Sequence, residues 1–92
     1  MNLTKEHLAE IENLASFFFS PEEIAIVIDV DVVDLEEELL DDTSDAYRAY
    51  QRGKLKSKLE LRKSILTLAK QGSGPAQTLA MRVLDDLEAR SL

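Results

Sequence analysis

The string Phe19-Ser20-Pro21-Glu22-Glu23-Ile24 constrains the fold of this 92-residue chain more than any other. It spells a helix start in full. Ser20 is the N-cap, Pro21 takes the first helical position, Glu23 closes a capping box, and Phe19 is placed to pack on Ile24 as a hydrophobic staple. The same grammar soon restarts, with Val30 before Asp31 as cap, Asp34 at the third helical position and Leu35 completing a second staple. The β-branched run between, residues 24–33, alternates Ile and Val with Asp in a way that favours a strand. The two caps override it, because each supplies a side-chain acceptor for backbone N–H groups that a helix start leaves unpaired. Two short helices, near 21–28 and 32–41, are therefore expected around a tight turn, which makes a helix-turn-helix unit. Ile24, Ala25, Ile28, Val30, Leu35 and Leu39 supply its apolar positions.

The rest of the chain also has helical period. From Thr4 onward Leu8, Ile11, Leu14, Ala15 and Phe18 recur at three- and four-residue spacing, so a first amphipathic helix is expected to end near Phe18. Beyond Ser44 a long helical segment reaches Gln71, interrupted by Gly53 alone. Glycine costs about 1 kcal/mol relative to alanine inside a helix, so Gly53 marks a kink or a close helix contact. Gly72-Ser73-Gly74-Pro75 stops that helix and starts another with Pro75 at its first position, and Leu79, Ala80, Val83, Leu84 and Leu87 form the apolar face that follows. The expected fold class is all-α: a helix-turn-helix three-helix unit over residues 1–43, then a long helix and an antiparallel helical hairpin over residues 44–92. A chain of this length fits one small domain. Without cysteine, no disulfide or thiolate zinc site staples it, which leaves packing and association as sources of stability.

The net charge of −7 conceals a partition. Residues 1–45 carry 14 acids against Lys5 alone, a balance of −13. Residues 46–72 carry eight bases against Glu60, or +7, and the remainder sums to −1. Such asymmetry points to polyanion binding or to docking between complementary surfaces. With Val32, Leu35 and Leu39 facing inward, the third helix turns Asp34, Glu37, Glu38 and Asp41 outward at i, i+3, i+4, i+7. That face would repel DNA, since duplex binding draws on the counterions released when Lys or Arg approaches phosphate. These four carboxylates are instead expected either to meet a basic partner or to form a solvated face.

The fourth helix is the expected DNA-binding element. At about 100° per residue, Arg48, Arg52, Lys56, Lys63 and Lys70 fall within an arc of roughly 80°. Lys54, Lys58 and Arg62 form a second row, their stems laid over apolar neighbours. Such rows suit phosphate contacts without sequence preference, and they equally suit a solvated face. Tyr47, Tyr50, Leu61, Ile65 and Leu68 lie on another side, and Leu55, Leu59, Leu66 and Ala69 add a further apolar stripe that an oligomer would cover. An acidic front and a basic rod also fit head-to-tail between copies, which closes a ring where the rotation allows.

Residues 20–36 resemble the helix-turn-helix of phage terminase small subunits and related DNA-packaging proteins. Tyr47-Arg-Ala-Tyr-Gln-Arg-Gly-Lys, followed by residues 61–80, is similar to that family's helical hairpin. The resemblance spans about residues 18–88 and implies a non-enzymatic subunit that recognises viral double-stranded DNA, assembles into a homo-oligomeric ring and passes DNA to a large terminase subunit. Family members usually place glycine in the turn, where this chain has Asp29, so Asp29 is expected to adopt a left-handed conformation. They often carry a further C-terminal segment that docks the motor, whereas this sequence ends at Leu92.

Enzymatic chemistry is not expected. His7 is the single histidine and reads as a surface residue, and no nucleophile-base pair stands out. Asp41, Asp42 and Asp45 cluster without the glycine and terminal glutamate of an EF-hand loop, so no metal site is expected beyond weak cation binding. The glycine cluster lacks the lysine of a P-loop, and no cofactor is implied. Phe17, Phe18 and Phe19 are expected mainly as core at a helix end. The charged residues 1–10 lack the apolar region of a signal peptide, and no stretch approaches the roughly 18 apolar residues of a membrane span, so no membrane contact and a cytoplasmic location are expected. The alternative to DNA packaging is a protein-interaction adaptor or regulator that docks through the acidic face of a helix-turn-helix scaffold.

Overall fold

The computed structural model describes residues 1–91, and side chains over residues 1–86. Its five helices are α1 (Lys5–Ser16), α2 (Pro21–Ile28), α3 (Val32–Leu40), α4 (Asp45–Lys70) and α5 (Gly74–Ser91), with no strand among the described residues. None of these helices is long and apolar enough to cross a membrane. By its contacts the chain divides into two units, Met1–Ser57 and Lys58–Leu92, so that α4 supplies its first half to one and its second half to the other.

The helix starts follow the capping chemistry. Ser20 Oγ accepts from Glu23 N–H at 3.2 Å while Glu23 Oε1 accepts from Ser20 N–H at 2.9 Å, the reciprocal pair of a capping box. Asp31 Oδ1 accepts from Asp34 N–H at 3.0 Å. His7, expected as an ordinary surface residue, closes a capping box on α1: Thr4 Oγ1 accepts from its N–H, and its Nδ1 accepts from Thr4 N–H at 3.2 Å. Ser44 caps α4, accepting from Tyr47 N–H and donating to the Glu38 carbonyl near the end of α3. On α5 the cap is Ser73, whose Oγ accepts from Ala76 N–H. Gly74 therefore opens the helix, and Pro75 is its second residue rather than its first.

Three helices end in the same way. A left-handed residue follows each, and the two amides at that end bond back to carbonyls of the last turn, as in the Schellman motif. The left-handed residue after α4 is Gly72, with φ +91°, where the absence of a Cβ makes that angle easy. After α2 it is Asp29, with φ 58° and ψ 52°, the conformation expected where members of the resembled family usually place glycine. After α1 it is Phe18, with φ 62°, a conformation a bulky side chain rarely adopts. This stop brings α1 to an end at Ser16, two residues before the expected boundary.

In the first unit α1 packs on α2 and α2 on α3. Its buried residues are Ile11 and Ala15 of α1, Ile24 and Ala25 of α2, Leu35 of α3, and Ala46 and Ala49 of α4. Leu8, Leu14, Ile28, Val30, Val32 and Leu39 pack half-buried around them. Gly53 marks a close approach of α1 to α4, because a Cβ built there would stand 2.1 Å from the Glu12 carbonyl oxygen and 2.9 Å from Ala15 Cβ. One turn further on, the Ser57 hydroxyl donates to the Ser16 carbonyl and satisfies an acceptor that the end of α1 leaves open.

In the second unit the chain passes from α4 to α5 through the Gly72 stop and the Ser73 cap, and Gln77 Nε2 donates to the Ala69 carbonyl at 3.1 Å. Ala76 and Ala80 are buried, and Ile65, Leu66, Ala69 and Val83 are half-buried. Leu59, Leu61, Leu68, Leu79, Met81 and Leu84 stay exposed, so Leu79 and Leu84 of the expected apolar face of α5 lie at the surface of this unit. The Leu87 side chain, expected on the same face of α5, lies outside those described.

Candidate functional site

Helical period fixes which side chains α4 turns outward. Ala46, Ala49 and Gly53 point into the first unit, so Arg48, Arg52 and Lys56 emerge beside them at four-residue spacing. Arg48 is exposed and lines a cleft with Leu8, Ala9, Glu12, Asp45 and Arg52. Arg52 Nη1 donates to Glu12 Oε1 at 2.9 Å, and Lys56 Nζ donates to Glu12 Oε2 at 2.7 Å. One carboxylate on α1 therefore holds two of the expected DNA contacts. The Lys56 hydrogen bond, then that of Arg52, keeps the Glu12 carboxyl below its ordinary range despite some opposing desolvation. Lys54 is half-buried, with Nζ 5.2 Å from the centre of the Tyr50 ring, within cation–π range.

In the second unit Lys58 is exposed and Arg62 half-buried. Lys63 stands 3.9 Å from Glu60, one turn back on the same helix, and borders a shallow groove with Ser64, Thr67, Leu68 and Gln71. Among the described residues Arg48, Lys58, Arg62 and Lys70 enter no ion pair.

The four acids expected to meet a partner do share one place. Asp34, Glu37, Glu38 and Asp41 line a single cleft with Met1, whose amino group lies 3.9 Å from Glu38 Oε1. Thr43 donates to Asp41 Oδ1 through its hydroxyl at 2.6 Å and its N–H at 3.0 Å, and these bonds hold the Asp41 carboxyl below its usual value. No cluster of acids or histidines able to hold a metal ion occurs among the described residues. The buried side of α3 is as predicted, with Leu35 fully covered and Val32 and Leu39 half-covered. Its outer side is less polar than expected, because Val33 (60% exposed) and Leu40 (86%) interleave with the acids.

Two features differ from the sequence reading. Phe17, Phe18 and Phe19 are exposed rather than core, since the left-handed turn at Phe18 ends α1 before its apolar stripe can carry the rings inward. Glu12 belongs to no motif in the sequence, although a signal for it exists. Gly53 marks where α4 touches a neighbour, and Arg52 and Lys56 flank that point, so an acid on the neighbouring helix would face both.

Comparison with family models, curated proteins and solved structures finds no match to this chain.

Proposed function

We propose that this chain is a non-enzymatic DNA-packaging protein of the terminase small-subunit type, acting in the cytoplasm and binding duplex DNA through the basic side chains of α4. In this reading α2 and α3 are a helix-turn-helix pair, and α4 and α5 supply the long helix and antiparallel hairpin. The acids of α3 keep that helix out of the groove, and its face meets a second copy. The large terminase subunit enters on the family resemblance alone. The observation that carries the reading is the set of cations on α4 that no acid among the described residues neutralises, with Arg48, Lys58 and Lys70 exposed. Cations placed so contact phosphate, where each neutralised phosphate releases counterions and steepens the salt dependence by about 0.9 in the log-log slope.

A second reading, a protein-interaction adaptor, is favoured by the exposed Val33 and Leu40 among the acids of α3 and by the exposed Phe17 and Phe18. Fluorescence anisotropy with a labelled duplex across a salt series separates the two. The packaging reading expects binding at low salt that falls steeply as salt rises and is lost in the triple variant Arg48→Glu, Lys58→Glu, Lys70→Glu. Absence of duplex binding at low salt overturns it and leaves the adaptor.

A further inference from the structure

Arg52 and Lys56 converge on Glu12 from the same side of α4, one donor to each carboxylate oxygen, at 2.9 and 2.7 Å. A phosphodiester offers the same features: two acceptor oxygens sharing one negative charge. The exposure of the partners is unequal. The Arg52 and Lys56 side chains are 57% and 60% exposed, whereas that of Glu12 is 24% exposed and sits on a backbone lodged against Gly53. The cations can swing to an outside ligand while the acid stays behind. Two cations on one acid also leave a positive charge over. Arg48 borders the same cleft and adds another, opposed by Asp45.

We infer that Arg52 and Lys56 form a phosphodiester-binding site of nucleic acid, in which the Glu12 carboxylate occupies the place of a backbone phosphate until DNA displaces it. Glu12 is then a specificity-determining residue. A weakly held anion does not dislodge it, while a polyanion that engages neighbouring cations as well gains enough to do so. This inference rests on the duplex-binding reading above and adds to it an internal competitor.

The test compares Glu12→Gln with Glu10→Gln. Both remove one negative charge from α1, but Glu10 is exposed and enters no ion pair among the described residues, so it controls for overall charge. Glutamine at position 12 keeps the size of the side chain and leaves the backbone contact with Gly53 intact. Circular dichroism melts establish that both variants fold. The expected result is duplex affinity about 3- to 10-fold tighter for Glu12→Gln than for Glu10→Gln at equal salt, with a log-log salt slope steeper by about one to two. Adding Arg52→Gln and Lys56→Gln to Glu12→Gln is expected to erase the gain. Equal affinity and slope in the two single variants, with duplex still bound by the unmodified chain, overturns the inference and leaves the duplex-binding reading standing. Failure of every form to bind duplex overturns both. Inorganic phosphate, followed by nitrogen NMR of the Arg52 and Lys56 side chains in Glu12→Gln, separates the sources. A phosphate response without duplex binding assigns the site to free anions and overturns its assignment to nucleic acid.

Discussion

Phe18 shows how much a single residue can cost. Its φ of 62° belongs to a region where a side chain crowds the backbone, at about 1–2 kcal/mol for an L-residue other than glycine. Burial does not offset the strain, because Phe18 is 57% exposed. Phe18→Gly removes the crowding and keeps the Schellman bonds, at the cost of a more flexible unfolded chain. A net gain of about 1 kcal/mol is expected, read as a higher urea midpoint at unchanged slope. A loss of stability would mean that the ring packs on something that favours the folded state. Asp29 holds the same backbone geometry after α2, and its short polar side chain tolerates it better than a phenyl ring does. That difference explains why one turn was legible in the sequence and the other was not. The resembled family, whose members usually place glycine at that turn, implies a left-handed Asp29, whereas nothing in three consecutive phenylalanines marks which of them must bend the chain.

Among the elements, α4 carries the sharpest constraint. Gly53→Ala improves helix propensity by about 1 kcal/mol in isolation. Here the added methyl would stand 2.1 Å from the Glu12 carbonyl oxygen, a backbone atom that cannot rotate aside. Overpacking of this kind costs about 1–3 kcal/mol, so destabilisation is expected in thermal unfolding, and α1 must shift away from Arg52 and Lys56. An unchanged or raised melting temperature would show slack between the helices. The Ser73 cap of α5 lies one residue earlier than Pro75 implies, whereas the starts of α2 and α3 were legible because they rest on local chemistry, Ser20 with Glu23 and Asp31 with Asp34. The partners of their faces were less so. A glycine in a helix reveals that a neighbour comes close, but the register that sets Glu12 opposite two bases is a tertiary property.

At the scale of the molecule, the charge partition and the exposed apolar residues point the same way. Acids and apolar side chains alternate on the outer face of α3, as Val33, Glu36, Glu37 and Leu40, while α4 exposes Lys58 and Lys63 among Leu59 and Leu61. Under the proposed self-assembly, two such surfaces on separate copies would attract through charge and cover one another's apolar area. Light scattering is therefore expected to give a mass that is a multiple of the chain mass, declining as salt screens the contact and rising on addition of duplex. A monomer in every condition would remove self-assembly from the proposal. The sequence displayed the charges openly, yet it overstated how many large apolar residues lie inside. The amphipathic pattern assigns leucine and phenylalanine to the interior, whereas the buried seams are filled largely by Ala15, Ala25, Ala46, Ala49, Ala76 and Ala80.

Those alanines determine how the chain is able to change over generations. Where a methyl group fills a seam, trimming it gains nothing and enlarging it wedges two backbones apart, so these positions are locked in both directions. The large residues at the surface carry no such restriction, and diversification among descendants of this sequence is expected to accumulate there.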